Sequence, residues 1–262
     1  MSAAPAAIEV RGVTVGYGDR VVQENLDFQV RKGEVLAILG GSGSGKSSVL
    51  KAMIGLVMPL SGQVLFDGED LVRAEGDDRL RLLRKFGVMY QGGALFGSMT
   101  VLENVRLPLD EFSDLEPGER ELVALGKLNL VSLLPAAIRM PSELSGGMTK
   151  RAAIARALAL DPGILFLDEP SAGLDPITSA ELDQTIRELS HGLGITFVVV
   201  THELQSIFAI ADRCIVLDAR RKTIIATGAP ADLRDHSPDP YVRQFFARQA
   251  RPVGATPEGS KE

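Results

Sequence analysis

The sequence has no run of eighteen apolar residues, so no segment is expected to cross a bilayer as a helix. Its first residues lack the basic start and apolar stretch of a secretory signal. If the protein works at a membrane, a partner is expected to supply the spanning segments. There is a single cysteine, Cys214, in an apolar run that reads as a buried strand. One thiol cannot close an intramolecular disulfide, and a reducing compartment is expected. Positive charge is not in excess: 28 Lys and Arg stand against 34 Asp and Glu, giving a net charge of −6 and a pI near 5.3. Such a chain is a poor electrostatic match to nucleic acid, whose binders present basic patches. The one basic run, residues 79–85, is interleaved with leucines and reads as the solvated face of a short helix. No internal repeat is visible.

The 262 residues, 45% hydrophobic and 24% charged, suffice for one large domain or for a core with a subsidiary lobe. Short apolar runs at 35–39, 164–167, 197–200 and 215–217 end at polar or Gly residues, as buried parallel strands do. Helical patterns follow them at 46–57, 177–189 and 204–211, which predicts an α/β core. Residues 8–30 and 63–71 alternate and carry turn residues, so they are expected to form an antiparallel sheet beside it. Residues 103–160 read as helical, broken near Pro117, Pro135 and Pro141, and are expected to form an inserted lobe. After Gly228 the character changes. Residues 229–233 suit one helical turn, and 241–250 carry Val242, Phe245 and Phe246 at helical spacing. The polar stretch 251–262 is expected to be disordered.

Residues 40–47 read GGSGSGKS, which fits the spacing of a phosphate-binding loop between strand and helix. Gly40, Gly41, Gly43 and Gly45 let the backbone wrap tightly. The N–H groups of the loop, including those at Ser42 and Ser44, then point inward at phosphate oxygens. The helix that follows, with Ser48 in its first turn, presents its positive end to the same anion. Lys46 is expected to reach the β- and γ-phosphates of ATP, and the Ser47 hydroxyl to bind Mg²⁺.

Other residues fit around that loop. The run at 164–167 ends in Asp168-Glu169. Two acids at a strand end often mean only that the strand meets solvent. Beside a phosphate loop, Asp168 suits Mg²⁺ and Glu169 suits the polarisation of an attacking water. Thr201-His202 ends another apolar run, where open α/β sheets place their ligands, so His202 suits a γ-phosphate contact. Gln91 ends the run at 87–90, and its amide suits Mg²⁺ and the water. Ser145-Gly146-Gly147 opens a helix in the inserted lobe. This segment is either a plain cap or a second anion-binding helix start. Two such starts in one chain make sense if two chains pair head to tail and complete each other's sites.

Together these residues resemble the ATP-binding subunits of ABC transporters, over about residues 8–228. The motifs GGSGSGKS, Gln91, LSGGM, ILFLDEP with SAGLD, and Thr201-His202 stand in that family's order. The resemblance implies an α/β P-loop NTPase (RecA-like) core with an antiparallel β subdomain, an inserted α-helical subdomain at about 92–160, and a C-terminal extension at 229–262. It implies an ATPase that works as a homodimer with two ATP molecules at the interface. Ser145 and Gly147 would contact the γ-phosphate held by the other chain, Asp175 would link the two sites, and Tyr17 would stack on adenine. Met148 stands where the common signature has Gln. The stretches SGGM-x-KR-A-A-x-A-R-A, QGGALFGSMTVLENVRLPL and DPYVRQFF are similar to the ATPases of Mla-type and Mce-associated intermembrane lipid transporters. That likeness implies an inner-membrane permease dimer docking near residues 92–99, through Leu95, Phe96 and Met99. It also implies an MCE-domain protein in the periplasm and a small STAS-type subunit. The ATPase would sit on the cytoplasmic face of the inner membrane, and Phe245 and Phe246 would suit a contact with the partner ATPase. An importer of amino acids or other small polar solutes is the alternative; neither nucleic acid nor ribosomes are expected as partners.

Overall fold

The computed structural model describes residues 6–247. The chain runs β1 (Ala6–Tyr17), β2 (Arg20–Arg31), β3 (Val35–Gly40), α1 (Lys46–Met53), β4 (Ser61–Phe66), β5 (Glu69–Asp70), α2 (Gly76–Leu83) and β6 (Phe86–Met89). Helices α3 (Val101–Phe112), α4 (Pro117–Leu130) and α5 (Gly146–Ala157) follow. Then come β7 (Ile164–Asp168), α6 (Pro176–Leu193), β8 (Thr196–Val200), α7 (Leu204–Ile210), β9 (Arg213–Asp218) and β10 (Thr223–Gly228). The last elements are α8 (Pro230–His236) and α9 (Pro240–Phe246).

Two sheets result. A four-stranded antiparallel sheet has the order β2-β1-β4-β5, and a six-stranded sheet has the order β10-β9-β3-β8-β7-β6. In the larger sheet only β10 runs antiparallel. The C-terminal ends of β3, β6, β7 and β8 therefore share one edge, which brings the 40–47 loop, Gln91, Asp168-Glu169 and His202 together. Strand β3 is buried along its whole length, and its period-two alternation assigns its side chains to layers. Leu36 and Ile38 join the apolar cluster beneath the antiparallel sheet. Ala37 and Leu39 face the opposite layer, with α7, α8 and α9. Cys214 is fully buried in that layer, and burial pushes its thiol up to about 12.

Several elements end where local chemistry, rather than apolar pattern, dictates. Helix α1 stops at Met53, short of the expected residue 57, because Gly55 turns left-handed and the Arg79 guanidinium holds its carbonyl at 2.8 Å. Arg79 also holds the Leu71 carbonyl, so α2 turns one side of the basic run inward instead of leaving it solvated. Helix α5 starts at Gly146, earlier than the apolar pattern suggests, since Ser145 caps it. The region after Gly228 makes two short helices, and α8 is longer than the single turn expected. Phe246 is buried in the chain's own core, against Phe208, so a partner ATPase would meet only Phe245 of the pair. The expectation for residues 251–262 lies outside the described residues. Among the described residues, no helix is long and apolar enough to cross a membrane.

Candidate functional site

The loop between β3 and α1 is a backbone cradle. Gly40 has φ 152°, and a Cβ there would lie 2.6 Å from the Leu217 carbonyl oxygen. Gly45 has φ 86°, and a Cβ there would lie 2.5 Å from Val22. No other residue fits either place. The Gln23 side chain is fully buried and bridges the carbonyls of Ser44 and Asp218 at 2.7 and 3.1 Å, which ties the loop to β2 and β9. Inside the loop, the Lys46 ammonium donates to the Gly40 and Gly41 carbonyls at 3.0 and 3.2 Å. Burial lowers its pKa, against the pull of Glu169 and Asp168.

A cavity of about 500 Å³ opens over this loop. It is lined by Tyr17, Arg20, Val22, Gly43, Gly45, Lys46, Ser47, Ser48, Gln91, Glu169 and His202. Ser47 Oγ donates to Asp168 Oδ1 at 3.3 Å, although the two lie 121 residues apart. Burial raises the Asp168 pKa, and the Ser47 hydrogen bond opposes that rise. Among the described residues, no group of three or more His, Cys, Asp and Glu could hold a metal by itself. The pair Ser47 and Asp168 offers two hard oxygens, a set that suits Mg²⁺ sharing its remaining positions with phosphate and water. Glu169 takes φ 47°, and its N–H donates to the Val200 carbonyl at 2.8 Å. Its Oε1 meets His202 Nδ1 at 2.8 Å, while its Oε2 is buried without a partner. Tyr17 is 49% exposed, and its hydroxyl donates to Ser48 Oγ at 3.3 Å. Tyr17 thus lines the cavity while half of it stays exposed.

Ser145, Gly146, Gly147 and Asp175 lie away from this cavity. The Ser145 hydroxyl caps α5 through Met148 N–H. The Asp175 carboxylate caps α6 by accepting from Ile177 N–H and Thr178 N–H at 3.0 and 3.1 Å. The two helix starts touch: a Cβ on Gly147 would lie 2.3 Å from Thr178 Cγ2. Ser145 and Gly146 are exposed, and Met148 packs part of its thioether against the lobe's apolar cluster. Ser42 and Ser44 complete the loop, with Ser44 N–H donating to the Gly41 carbonyl at 3.1 Å.

Three further residues hold the site together. Gln23 and Tyr241 reach the loop from remote strands and helices, and only the fold brings them there. Lys150 follows the LSGGM segment, and its buried ammonium donates to the carbonyls of Gln91 and Glu169. Lys150 and Tyr241 lie in the SGGM-x-KR and DPYVRQFF stretches, but neither stretch shows what these side chains hold, and Gln23 carries no motif signal.

Residues 23–172 match the family model described as ABC transporter. The intermembrane phospholipid transport system ATP-binding protein MlaF of Haemophilus influenzae is 40% identical over 91% of this chain and 89% of its own. The probable ribonucleotide transport ATP-binding protein mkl of Mycobacterium leprae is 39% identical over 96% of this chain and 72% of its own. Among solved structures, the dimeric bacterial ABC transporter cassette MJ0796 superposes with a TM-score of 0.76 at 33% identity, covering 85% of this chain and 98% of that one. The same cassette in a post-hydrolysis state bound to ADP and Pi gives a TM-score of 0.76 at 32% identity, with the same coverage.

Proposed function

The chain belongs to the ABC transporter ATP-binding family and is an ATPase; on that premise we propose that it drives phospholipid between inner and outer membranes. It does so as a homodimer seated on an inner-membrane permease dimer, with an MCE-domain protein in the periplasm and a STAS-type subunit beside the ATPase. Its place is the cytoplasmic face of the inner membrane. The lipid reading rests on the match to the MlaF proteins over nine-tenths of the chain.

The observation that carries the mechanism is Glu169. One carboxylate oxygen is held by His202, and the other is buried with nothing to accept. A buried acceptor of this kind needs a donor, and an attacking water supplies one. Lys46 exchanges its loop carbonyls for the β- and γ-phosphates of ATP. Ser47, Asp168 and Gln91 would hold Mg²⁺, which would neutralise charge on the phosphates. Tyr17 stacks on adenine. Each site is then closed by the partner chain, whose Ser145–Gly147 helix start, exposed at Ser145 and Gly146, faces the γ-phosphate, with Asp175 bridging the two sites. Closure moves the permease, and hydrolysis reopens the dimer.

Glu169→Gln keeps the fold and the His202 contact but is a poor base. In the assembled transporter we expect ATPase turnover to fall at least a hundredfold, ATP affinity to hold, and closed dimer to accumulate on gel filtration with ATP. Turnover within a few-fold of wild type removes Glu169 from the role. The similarity to the mycobacterial ribonucleotide transport protein favours a second reading, an importer of small polar solutes. Mass spectrometry of the purified complex separates the two. Bound phospholipid supports lipid transport, whereas no lipid, with ATPase stimulated by a polar solute, supports import.

A further inference from the structure

Helix α9 touches the phosphate loop. Gly41 N–H donates to the Tyr241 hydroxyl at 3.1 Å, across 200 residues of sequence. The loop leaves room for that hydroxyl, since a Cβ on Gly41 would lie 2.8 Å from it. The Lys46 ammonium holds the Gly40 and Gly41 carbonyls of the same segment. The first peptides of the loop are therefore fixed by one group that ATP recruits and one that it does not.

Tyr241 is itself firmly placed. Asp239 caps α9, accepts from Tyr241 N–H at 2.8 Å, and pairs with Arg221 of the β9–β10 turn at 2.5 Å. Val242 and Phe246 pack in one cluster with Ala37 and Leu39 of β3, the strand that leads into the loop. The helix and the loop thus rest on the same strand, and the hydroxyl joins them at the strand's end.

We propose that Tyr241 is a positioning residue of the nucleotide site, whose hydroxyl sets the entry of the phosphate loop and so links ATP binding to the docking of α9. The proposal rests on the ATP reading of the 40–47 loop. Phosphate recognition by a backbone cradle depends on the direction of its N–H groups, so a group that orients the first peptides acts on affinity. Linkage is reciprocal: if a docked α9 favours ATP, bound ATP favours a docked α9.

The test is Tyr241→Phe in the full chain, assembled with its transporter. The ring stays, and the acceptor for Gly41 N–H goes. Loss of one such hydrogen bond raises KM and Kd for ATP by roughly two- to tenfold, with kcat unchanged. In wild type, ATP is expected to slow amide exchange across α9, and in the variant this slowing is expected to be lost. A residue that only packs would lower thermal stability equally with and without ATP and leave KM alone. Gly41→Ala adds an independent check. Its clash with the hydroxyl makes it costly in wild type and milder in the Tyr241→Phe background, a non-additivity that a double-mutant cycle reads. Lys46→Ala serves as the reference for the site. Lost ATP binding there, with unchanged KM in Tyr241→Phe or α9 exchange indifferent to ATP, overturns the proposal and leaves the ATP reading standing. Retained ATP binding in Lys46→Ala overturns the reading beneath it.

Discussion

At the scale of single residues, the site sets charges against burial. Lys46 and Asp168 are shifted toward their neutral forms by desolvation, which a bound nucleotide and cation would reverse by supplying opposite charge. Asp183 of α6 shows the same physics outside the site. It is buried, one of its oxygens has no partner, and desolvation raises its pKa from 3.8 to about 6, with Glu203 adding to the rise and Ser206 opposing it. The folded chain therefore holds this proton more tightly than the unfolded chain does. The resulting penalty is absent below about pH 4, grows as pH rises to about 6, and is constant above. Asp183→Asn is expected to stabilise the protein at pH 8 by about 1–2 kcal/mol, allowing for solvent screening at the groove it lines, and to flatten the profile between pH 4 and 6. Urea unfolding at several pH values checks this; a variant no more stable than wild type at pH 8 refutes it.

At the scale of elements, helix α5 touches several of the segments that carry candidate site residues. Its start packs on the start of α6 through Gly147 and Thr178. One turn later Lys150 holds the carbonyls of Gln91 and Glu169 themselves. Arg156 on the same helix donates to the carbonyls of Gly93 and Ala94 at 2.9 and 2.7 Å. A rigid helix that grips the segments after β6 and β7 will shift both together. Gly147→Ala is expected to push α5 from α6 and lower ATPase activity at least tenfold, with ATP affinity of the isolated chain within twofold of wild type. Thr178→Ser removes the clashing methyl and keeps the hydroxyl that donates to Asp175. It should recover most of the lost activity in the Gly147→Ala background. No recovery would assign the loss to phosphate contact rather than packing.

At the scale of the whole molecule, the helical lobe has no core of its own. Val101, Val105, Ala124 and Leu128 of the lobe share one apolar cluster with Met89, Leu165 and Leu167 of the sheet. Lobe and core are therefore expected to unfold in one cooperative transition, with calorimetric and van't Hoff enthalpies equal. Two resolved transitions would make the lobe an independent unit. ATP and Mg²⁺ with the Glu169→Gln chain should stabilise the folded state by about 2.7 kcal/mol at a hundredfold excess over Kd, and Lys46→Ala should abolish that gain.

The local features were legible because their physics is local. An apolar strand, a glycine-rich turn and a helix start are adjacent in sequence, so 40–47 announces a phosphate cradle without any fold. Strand ends at Asp168, Thr201 and Gln91 are likewise visible as apolar runs meeting polar residues. Their convergence on one edge required the parallel strand order, which only long-range pairing sets. The 2.8 Å contact of Glu169 with His202, and the buried oxygen left over, depend on two strand ends lying side by side. Gln23 lies furthest from what sequence can reveal, and the DPYVRQFF stretch does not show what Tyr241 holds, since a single hydrogen bond leaves no periodicity or spacing behind. The sequence by itself determined what the loop binds. The tertiary structure decided which distant residues hold that loop in shape, because those contacts form only after the apolar layers have packed.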